Sequence, residues 1–303
     1  MKHLLTLEQL SPTEINEIIT LASEYKKELK KGIPHKKNLN GKTLGMIFEK
    51  SSSRTRVSFE VGMYQLGGYA LFLSSRDTQL GRGESIKDSA RVFGRYLDGI
   101  MIRTFKQSDV EDLAKYSGIS IINGLTDYCH PCQVLADLMT IREHKGSFDG
   151  LKVCYIGDGN NMANSIIVGA LKTGMRVSVA TPKGYEPHKH IIEFANSFDG
   201  MFELTHDTVS AAKNADVIFT DVWSSMGMED EAELRKKAFK SFCVNKELLD
   251  VANPECMVQH CLPAHKGEEI TEEVFEKHAG EIFDEAENRL HAQKAVLYLT
   301  MKD

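Results

Sequence analysis

Leu44-Gly45-Met46-Ile47-Phe48, followed two residues later by Ser51-Ser52-Ser53-Arg54-Thr55-Arg56-Val57-Ser58-Phe59-Glu60, decides the fold. The first run is short, apolar and unbroken, which reads as a buried strand. The second opens a helix, because Val57, Val61, Tyr64 and Leu66 recur at helical spacing and Ser52 or Ser53 can cap the start. A helix N-terminus carries unpaired N–H groups and a partial positive charge, so it attracts anions. Here hydroxyls and two guanidiniums share that turn, and Arg54 can take a phosphate bidentately where a lysine cannot. The plainer alternative is a capped helix with two exposed arginines. Three further segments weigh against it.

The same strand–helix alternation extends outward. Ser11 caps a helix with Pro12 at its first position, running to about Lys31. Strands are predicted at 44–48, 69–73, 100–103 and 119–122, with helices at 52–66, 85–96 and 110–116 between them and another from Pro131 to about His144. This order implies a parallel sheet covered by helices on both faces. Lys145-Gly146-Ser147-Phe148-Asp149-Gly150 breaks the pattern. A second series follows, with strands at 153–156, 177–180, 217–221 and 257–261 and helices at 161–173, 187–196, 229–239 and 245–251. The last helix, from Asn288, has no strand after it and is expected to return to the first half. The expectation is therefore an α/β protein of two domains, each a mainly parallel sheet flanked by helices: residues 1–145 joined by 288–303, and residues 146–287.

A chain of 303 residues is long enough for two such cores. The net charge of −6 gives no bulk attraction to nucleic acid or to an anionic membrane, so an anionic ligand must be held by a local basic cluster. The start, Met1-Lys2-His3-Leu4-Leu5-Thr6, lacks the apolar core of a secretory signal. Six scattered cysteines suit reduced thiols in a cytoplasmic protein better than a disulfide framework.

The second segment is Asp127-Tyr128-Cys129-His130-Pro131-Cys132-Gln133. It places His130 and Gln133 near the carboxyl end of a strand, where α/β sheets bind ligands. His130 can donate to a carbonyl and Gln133 can accept from an amide. Cys129-x-x-Cys132 also fits a redox motif, although it sits at the end of the wrong kind of βα series for one. The third segment, Asp221-Val222-Trp223-Ser224-Ser225-Met226-Gly227, offers an acid for an ammonium and hydroxyls for a carboxylate. The fourth is Gln259-His260-Cys261-Leu262-Pro263-Ala264-His265. His260, Cys261 and His265 raise the question of zinc, but no second acid or thiol lies nearby in sequence to complete a site, so no metal is expected. A thiol at the end of a strand could instead have a tuned pKa. Gly157-Asp158-Gly159-Asn160-Asn161-Met162 is like a dinucleotide fingerprint with Met162 in place of the third glycine and no acid ending the next strand, so no nicotinamide cofactor is expected. No Walker sequence is present, so ATP is not implied and no cofactor is expected.

Taken together, these segments resemble the aspartate/ornithine carbamoyltransferase family over essentially the whole chain. Ser52-Ser53-Arg54-Thr55-Arg56 is similar to its carbamoyl-phosphate motif Ser-Thr-Arg-Thr-Arg, with Ser53 where threonine is usual. His130-Pro131-Cys132-Gln133 is similar to its His-Pro-x-Gln motif, and His260-Cys261-Leu262-Pro263 with Asp221…Ser225-Met226-Gly227 points to its ornithine branch. The resemblance implies transfer of a carbamoyl group from carbamoyl phosphate to the δ-amine of L-ornithine, giving L-citrulline and phosphate. It implies Ser52, Ser53, Arg54, Thr55, Gln79, Arg103, His130, Gln133, Cys261, Leu262 and Arg289 at carbamoyl phosphate, and Asn161, Asp221, Ser225 and Met226 at ornithine. The resemblance also implies that Arg103, His130, Asp221 and Cys261 form the catalytic group. It further implies a cytoplasmic homotrimer whose sites are shared between subunits, with Gln79 reaching a neighbour's site. A putrescine carbamoyltransferase, or a non-catalytic amino-acid-binding protein on the same scaffold, would be the alternatives.

Overall fold

The computed structural model describes residues 1–74, 83–224 and 231–302. The chain divides into two compact units, Met1–Ala136 with Asn288–Asp303, and Asp137–Glu287. The elements run α1 (Pro12–Lys30), β1 (Thr43–Phe48), α2 (Ser53–Leu66), β2 (Tyr69–Ser74), α3 (Ile86–Phe93), β3 (Gly99–Arg103), α4 (Gln107–Tyr116), β4 (Ser120–Leu125) and α5 (Pro131–Lys145). They continue through β5 (Lys152–Ile156), α6 (Asn161–Lys172), β6 (Arg176–Ala180), α7 (Lys189–Asn196), β7 (Phe202–Thr205), α8 (Thr208–Ala212), β8 (Val217–Thr220), α9 (Ala232–Phe239), α10 (Lys246–Val251), β9 (Met257–His260), α11 (Glu272–Lys277) and α12 (Ala279–Met301).

Local chemistry explains most of these boundaries. Ser11 and Glu14 form a reciprocal capping box at the start of α1, the hydroxyl accepting from Glu14 N–H at 3.2 Å and the carboxylate from Ser11 N–H at 2.8 Å. Ser52 caps α2, and Gly67 ends it in the left-handed region at φ 88°. The first unit's sheet has the order β2-β1-β3-β4 and the second's β7-β6-β5-β8-β9, with the pairings among the described residues all parallel. In the first unit Ile47, Ile100, Ile102 and Ile121 meet Val110 and Leu113 of α4 in a dry core. In the second, Cys154, Ile156, Ile218 and Val258 pack beneath Phe239, Phe242 and Val244.

The structure departs from the sequence expectation at several places. β7 and α8 occupy the stretch between α7 and β8, where the sequence pattern predicts no element. Phe202-Glu203-Leu204-Thr205 is a short edge strand paired only with β6, and Asp207 caps the short helix by accepting from Val209 N–H and Ser210 N–H. α11 is likewise unforeseen, nucleated by Thr271, whose hydroxyl accepts from Val274 N–H at 3.3 Å. α12 begins at Ala279 instead of Asn288. Its acidic opening turns look polar in sequence, yet Glu281 and Glu285 accept the backbone N–H groups of Val258 and His260 at 2.9 and 3.0 Å. The helix expected from Glu229 starts at Ala232, Glu229 itself lying outside the described residues.

Each sheet reverses its winding once, between β1 and β3 in the first unit and between β5 and β8 in the second. Parallel sheets leave a crevice at that point, outside the carboxyl ends of the strands. Ser52–Thr55 and Gly157–Asn161 lie in the segments leaving β1 and β5, Arg103 ends β3, and Asp221 follows β8 directly. No helix among the described residues is long and apolar enough to cross a membrane.

The turn after β5 depends on Gly159. Its N–H donates to Tyr185 C=O at 2.9 Å, and a Cβ there would lie 2.3 Å from Glu186 C and Pro187 N. Because both are backbone atoms, they cannot move aside as a side-chain tip can. Gly159→Ala is expected to lower unfolding free energy by about 1–3 kcal/mol, the usual scale of overpacking. Urea denaturation against wild type checks this, and an unchanged midpoint would contradict it.

Candidate active site

The first cluster lies at the switch point of the first unit. Ser52, extended at φ −162° and ψ 113°, accepts from Thr55 N–H at 3.2 Å, and its hydroxyl lies 3.1 Å from Thr55 Oγ1. Ser53 and Arg54 therefore occupy the first two helical positions, ahead of the regular i to i−4 backbone ladder. Thr55 is fully buried and accepts from Arg289 Nη2 of α12 at 2.8 Å. Arg103 ends β3 and is buried, its carbonyl accepting from Glu49 N–H at 2.9 Å. His130 stands just before α5, and its carbonyl accepts from Gln133 N–H at 3.2 Å.

Burial, then the charges of Arg289, Arg103 and Arg54, hold the His130 imidazole well below its ordinary pKa. It is thus neutral at physiological pH and can donate one hydrogen bond without adding a charge. Three guanidiniums acting on one imidazole also mark Arg54, Arg103 and Arg289 as a single electropositive cluster.

Sequence reasoning missed the scaffold behind it. Lys50 is buried, pairs with Asp127 and lies 4.3 Å from the Phe105 ring centre, while Thr104 Oγ1 donates to Glu49. Thr104 N–H donates to Leu125 C=O at 3.0 Å and Asp127 N–H to Phe105 C=O at 2.9 Å. These bonds stitch together the ends of β1, β3 and β4, which carry the cluster. Cys129 and Cys132 are buried within hydrogen-bond reach of Asn123, at 3.3 Å from its side chain and 3.4 Å from its carbonyl respectively. Burial pushes both thiols up, Cys132 to about 12, which is the reverse of what a redox pair needs.

The second cluster lies at the switch point of the second unit. Asp221 follows β8 and is buried. Its Oδ1 accepts from Val222 N–H at 2.8 Å and from the Cys261 thiol at 3.2 Å, and its Oδ2 from Asn160 Nδ2 at 2.9 Å. Asn160 also caps α6, its Oδ1 accepting from Met162 N–H and Ala163 N–H at 2.9 and 3.2 Å and lying 3.3 Å from the Tyr155 hydroxyl. Asn161, singled out in the sequence, is the first residue of α6. Asn160 was the missed partner, and its place at an N-cap before a helix was the signal that could have found it.

This cluster has the opposite electrostatic character. Burial, then Asp221, pushes the Cys261 thiol well above its ordinary pKa. Cys261 is therefore a neutral donor to Asp221, and the tuning that the sequence suggested runs away from the thiolate. Burial also raises Asp158 to about 6 against the pull of Arg235, which pairs with it and donates to Trp223 C=O. The possible ligand atoms of Asp221, His260 and Cys261 lie within 4.8 Å of one another. However, His260 Nε2 faces Glu269 at 3.0 Å and Nδ1 accepts from Leu262 N–H at 2.9 Å, so both ring nitrogens are engaged. Leu262 holds φ at 58°, a strained value for a side chain branched at Cγ. Gln79, Ser225 and Met226 lie outside the described residues.

Two parallel sheets, a cationic cluster at one switch point and a carboxylate held by three donors at the other, define an α/β protein suited to an anion and an amine. The chain belongs to the aspartate/ornithine carbamoyltransferase family. Residues 2–143 match that family's carbamoyl-P binding domain and residues 149–300 its Asp/Orn binding domain. It is 54% identical to the ornithine carbamoyltransferase of Thermococcus kodakarensis, over 99% of this chain and 96% of that one. It is 56% identical to that of Syntrophotalea carbinolica, over 99% of both. The solved ornithine carbamoyltransferase from Pyrococcus furiosus superposes with a TM-score of 0.94 at 54% identity, covering 99% of this chain and 97% of that one.

Asn160→Asp keeps the cap acceptor but replaces the amide donor with a second carboxylate beside Asp221. Sharing the site raises the pKa of the pair above the unfolded carboxylate value. Protons then bind more tightly to the folded state, so the lost stability returns as pH falls. Relative to wild type, Asn160→Asp is expected to lose about 1–3 kcal/mol at pH 8, the cost of a frustrated buried polar group, and to recover much of it by pH 5. Urea midpoints across that range check it, and a constant difference would refute the coupling.

Proposed function

We propose that this chain catalyses carbamoyl transfer from carbamoyl phosphate to the δ-amine of L-ornithine. The observation that carries the reading is the gathering of Arg54, Arg103 and Arg289 around a neutral His130, beside the hydroxyls at the start of α2. An acyl phosphate dianion needs charge and open N–H donors, and its carbonyl needs a donor that does not protonate the incoming amine. The match to both domains of the family, over nearly the whole chain, supports the same reading.

Carbamoyl phosphate is assigned to residues 1–145 with 288–303, and ornithine to residues 146–287. Ser52, Ser53, Arg54, Thr55 and Arg289 would hold the phosphate. Arg103, Thr55 and His130 would stabilise the oxygen charge that develops as the carbonyl is attacked, an oxyanion-hole role. Gln133 and the carbonyls near Cys261 and Leu262 would hold the carbamoyl NH2. Asn161, Asp221, Ser225 and Met226 would hold ornithine, with Asp221 orienting the δ-amine. The amine lone pair forms the new C–N bond, and the C–O bond to phosphate breaks with its electron pair leaving on oxygen. Since Cys261 is a neutral thiol and His130 lies among cations, the departing phosphate is the proton acceptor assigned here. Positioning and electrostatics supply the rate without a covalent intermediate.

The assembly proposed is a homotrimer with shared sites, in the cytoplasm. Val57 and Tyr64 of α2 are 54% and 76% exposed, and Tyr69 of the edge strand β2 is 65% exposed. An apolar edge of this kind is a surface that proteins ordinarily cover. Gln79 comes five residues after the end of that strand in sequence.

Wild type should form citrulline from ornithine and not carbamoylate putrescine at a comparable rate. Arg103→Ala, with an unchanged circular dichroism spectrum, should lose roughly a hundredfold or more in kcat/KM, the scale of one charge-stabilising donor. Near-wild-type kinetics would overturn the assignment.

Shared sites carry their own test. An inactive Gln79 variant mixed with an inactive Arg54 variant should regain activity once subunits exchange, because some mixed sites then contain both residues. No recovery after exchange is verified by mass spectrometry would refute sharing.

A further inference from the structure

Lys294 is fully buried in α12, outside the cluster described above. Its ammonium donates to Gln65 Oε1 of α2 at 2.8 Å and to His35 Nε2 in the α1–β1 connection at 2.7 Å. His35 then carries its proton on Nδ1, which faces Glu28 of α1 at 2.8 Å. The ammonium also lies 5.5 Å from the Tyr25 ring centre. The titratable groups around it are thus Tyr25 and Glu28 from α1 and His35 from the connection, with Tyr298 one turn further along α12 acting on Tyr25.

The stem of this lysine runs across Gly62. A Cβ at Gly62 would meet Lys294 Cγ at 3.3 Å and Leu297 Cδ1 at 3.4 Å, so α2 and α12 pack most closely there. The same two helices meet again where Arg289 Nη2 donates to Thr55 Oγ1 at 2.8 Å. Thr55, Gly62 and Gln65 share a face of α2, and Arg289 lies little more than a turn of α12 from Lys294. A buried ammonium is a costly way to fill this space. Burial lowers its pKa to about 8, with Glu28 opposing the shift. That penalty is full below pH 8 and fades as pH rises from there toward the unfolded value. Methionine has a similar volume and no charge to bury. What the ammonium adds is direction: two fixed acceptors set both the rotation and the axial register of α12, which an apolar contact tolerates sliding.

We propose that Lys294 is a positioning residue for Arg289, its ties to Gln65 and His35 fixing the register in which Arg289 meets Thr55 at the anion-binding cluster. The proposal rests on the reading that Arg289 belongs to the phosphate site.

The test compares wild type with Lys294→Met, using inorganic phosphate as the probe in calorimetry and ornithine and carbamoyl phosphate in steady state. Lys294→Met should weaken phosphate and raise the carbamoyl-phosphate KM by about tenfold, the scale of a sub-ångström to ångström misplacement. Its ornithine KM should stay within about twofold, and its melting temperature should hold or rise because a buried charge is gone. In an Arg289→Lys background the same substitution should add little, since the two act through one contact. Gln65→Met, which leaves the lysine in place with one acceptor fewer, should shift phosphate in the same direction and carries the test if Lys294→Met fails to fold. Unchanged phosphate affinity in a folded variant would overturn the proposal. So would affinity and melting temperature falling together with additive effects in the double variant, which is the signature of a general structural role. A wild type that binds phosphate yet forms no citrulline would instead defeat the proposed reaction and leave the positioning claim standing.

Discussion

Among the described residues every strand pairing in both sheets is parallel, and this constraint organises the rest of the protein. In a parallel sheet all carboxyl ends open on one edge, and at the switch point the two flanking connections diverge, leaving backbone and side chains free to face a ligand. The central strands β1, β3, β5 and β8 are buried almost throughout, so most of the chemistry falls to residues at or just beyond their carboxyl ends. Ser52–Thr55, Arg103, Gly157–Asn161 and Asp221 all sit in those few places. Gly159, wedged against the 185–187 backbone, shows how little room one of these turns leaves.

The two clusters have opposite electrostatic character. Burial, then the arginines, suppresses protonation of His130, while burial, then neighbouring carboxylates, suppresses ionisation of Cys261 and Tyr155, and burial raises Asp158 only to about 6 against Arg235. For His130, Cys261 and Tyr155 burial and the neighbouring charges act in the same direction, toward the neutral form, whereas Asp158 keeps its ion pair with Arg235. A neutral imidazole among cations suits a site for an anion with a polarisable carbonyl. A carboxylate receiving three donors suits an ammonium or amine, because those donors fix its orientation before any ligand arrives.

Much of this was legible in the sequence, and the failures share a cause. The Ser11 cap and a serine cap at Ser52 or Ser53 are local signals, and the structure puts the caps at Ser11 and Ser52. β7 was missed because a four-residue edge strand buries too little to enforce alternation, and the start of α12 because Glu281 and Glu285 look like a solvated face until the backbone they satisfy is seen. Asn160 and Lys50 were missed for a related reason: each acts on a residue distant in sequence, Asp221 and Asp127, which spacing does not reveal. Lys294 is the extreme case. In Leu290-His291-Ala292-Gln293-Lys294-Ala295 a lysine reads as the polar side of a helix, yet it is fully buried.

That burial bears on how the cationic cluster is built. Arg289 lies far in sequence from Arg54 and Arg103, so only the path of α12 brings it to Thr55. A helix held by apolar packing alone rests in a broad minimum, since ridges and grooves of similar side chains permit sliding of a few tenths of an ångström at little cost. A hydrogen bond to a guanidinium tolerates much less, because its energy falls steeply outside a narrow range of distance and angle. The cluster therefore requires something directional elsewhere on the same helix pair. Two acceptors on one ammonium meet that requirement. The stability that a buried charge costs is then the counterpart of the fixed geometry it gives to the arginine near the other end of the contact.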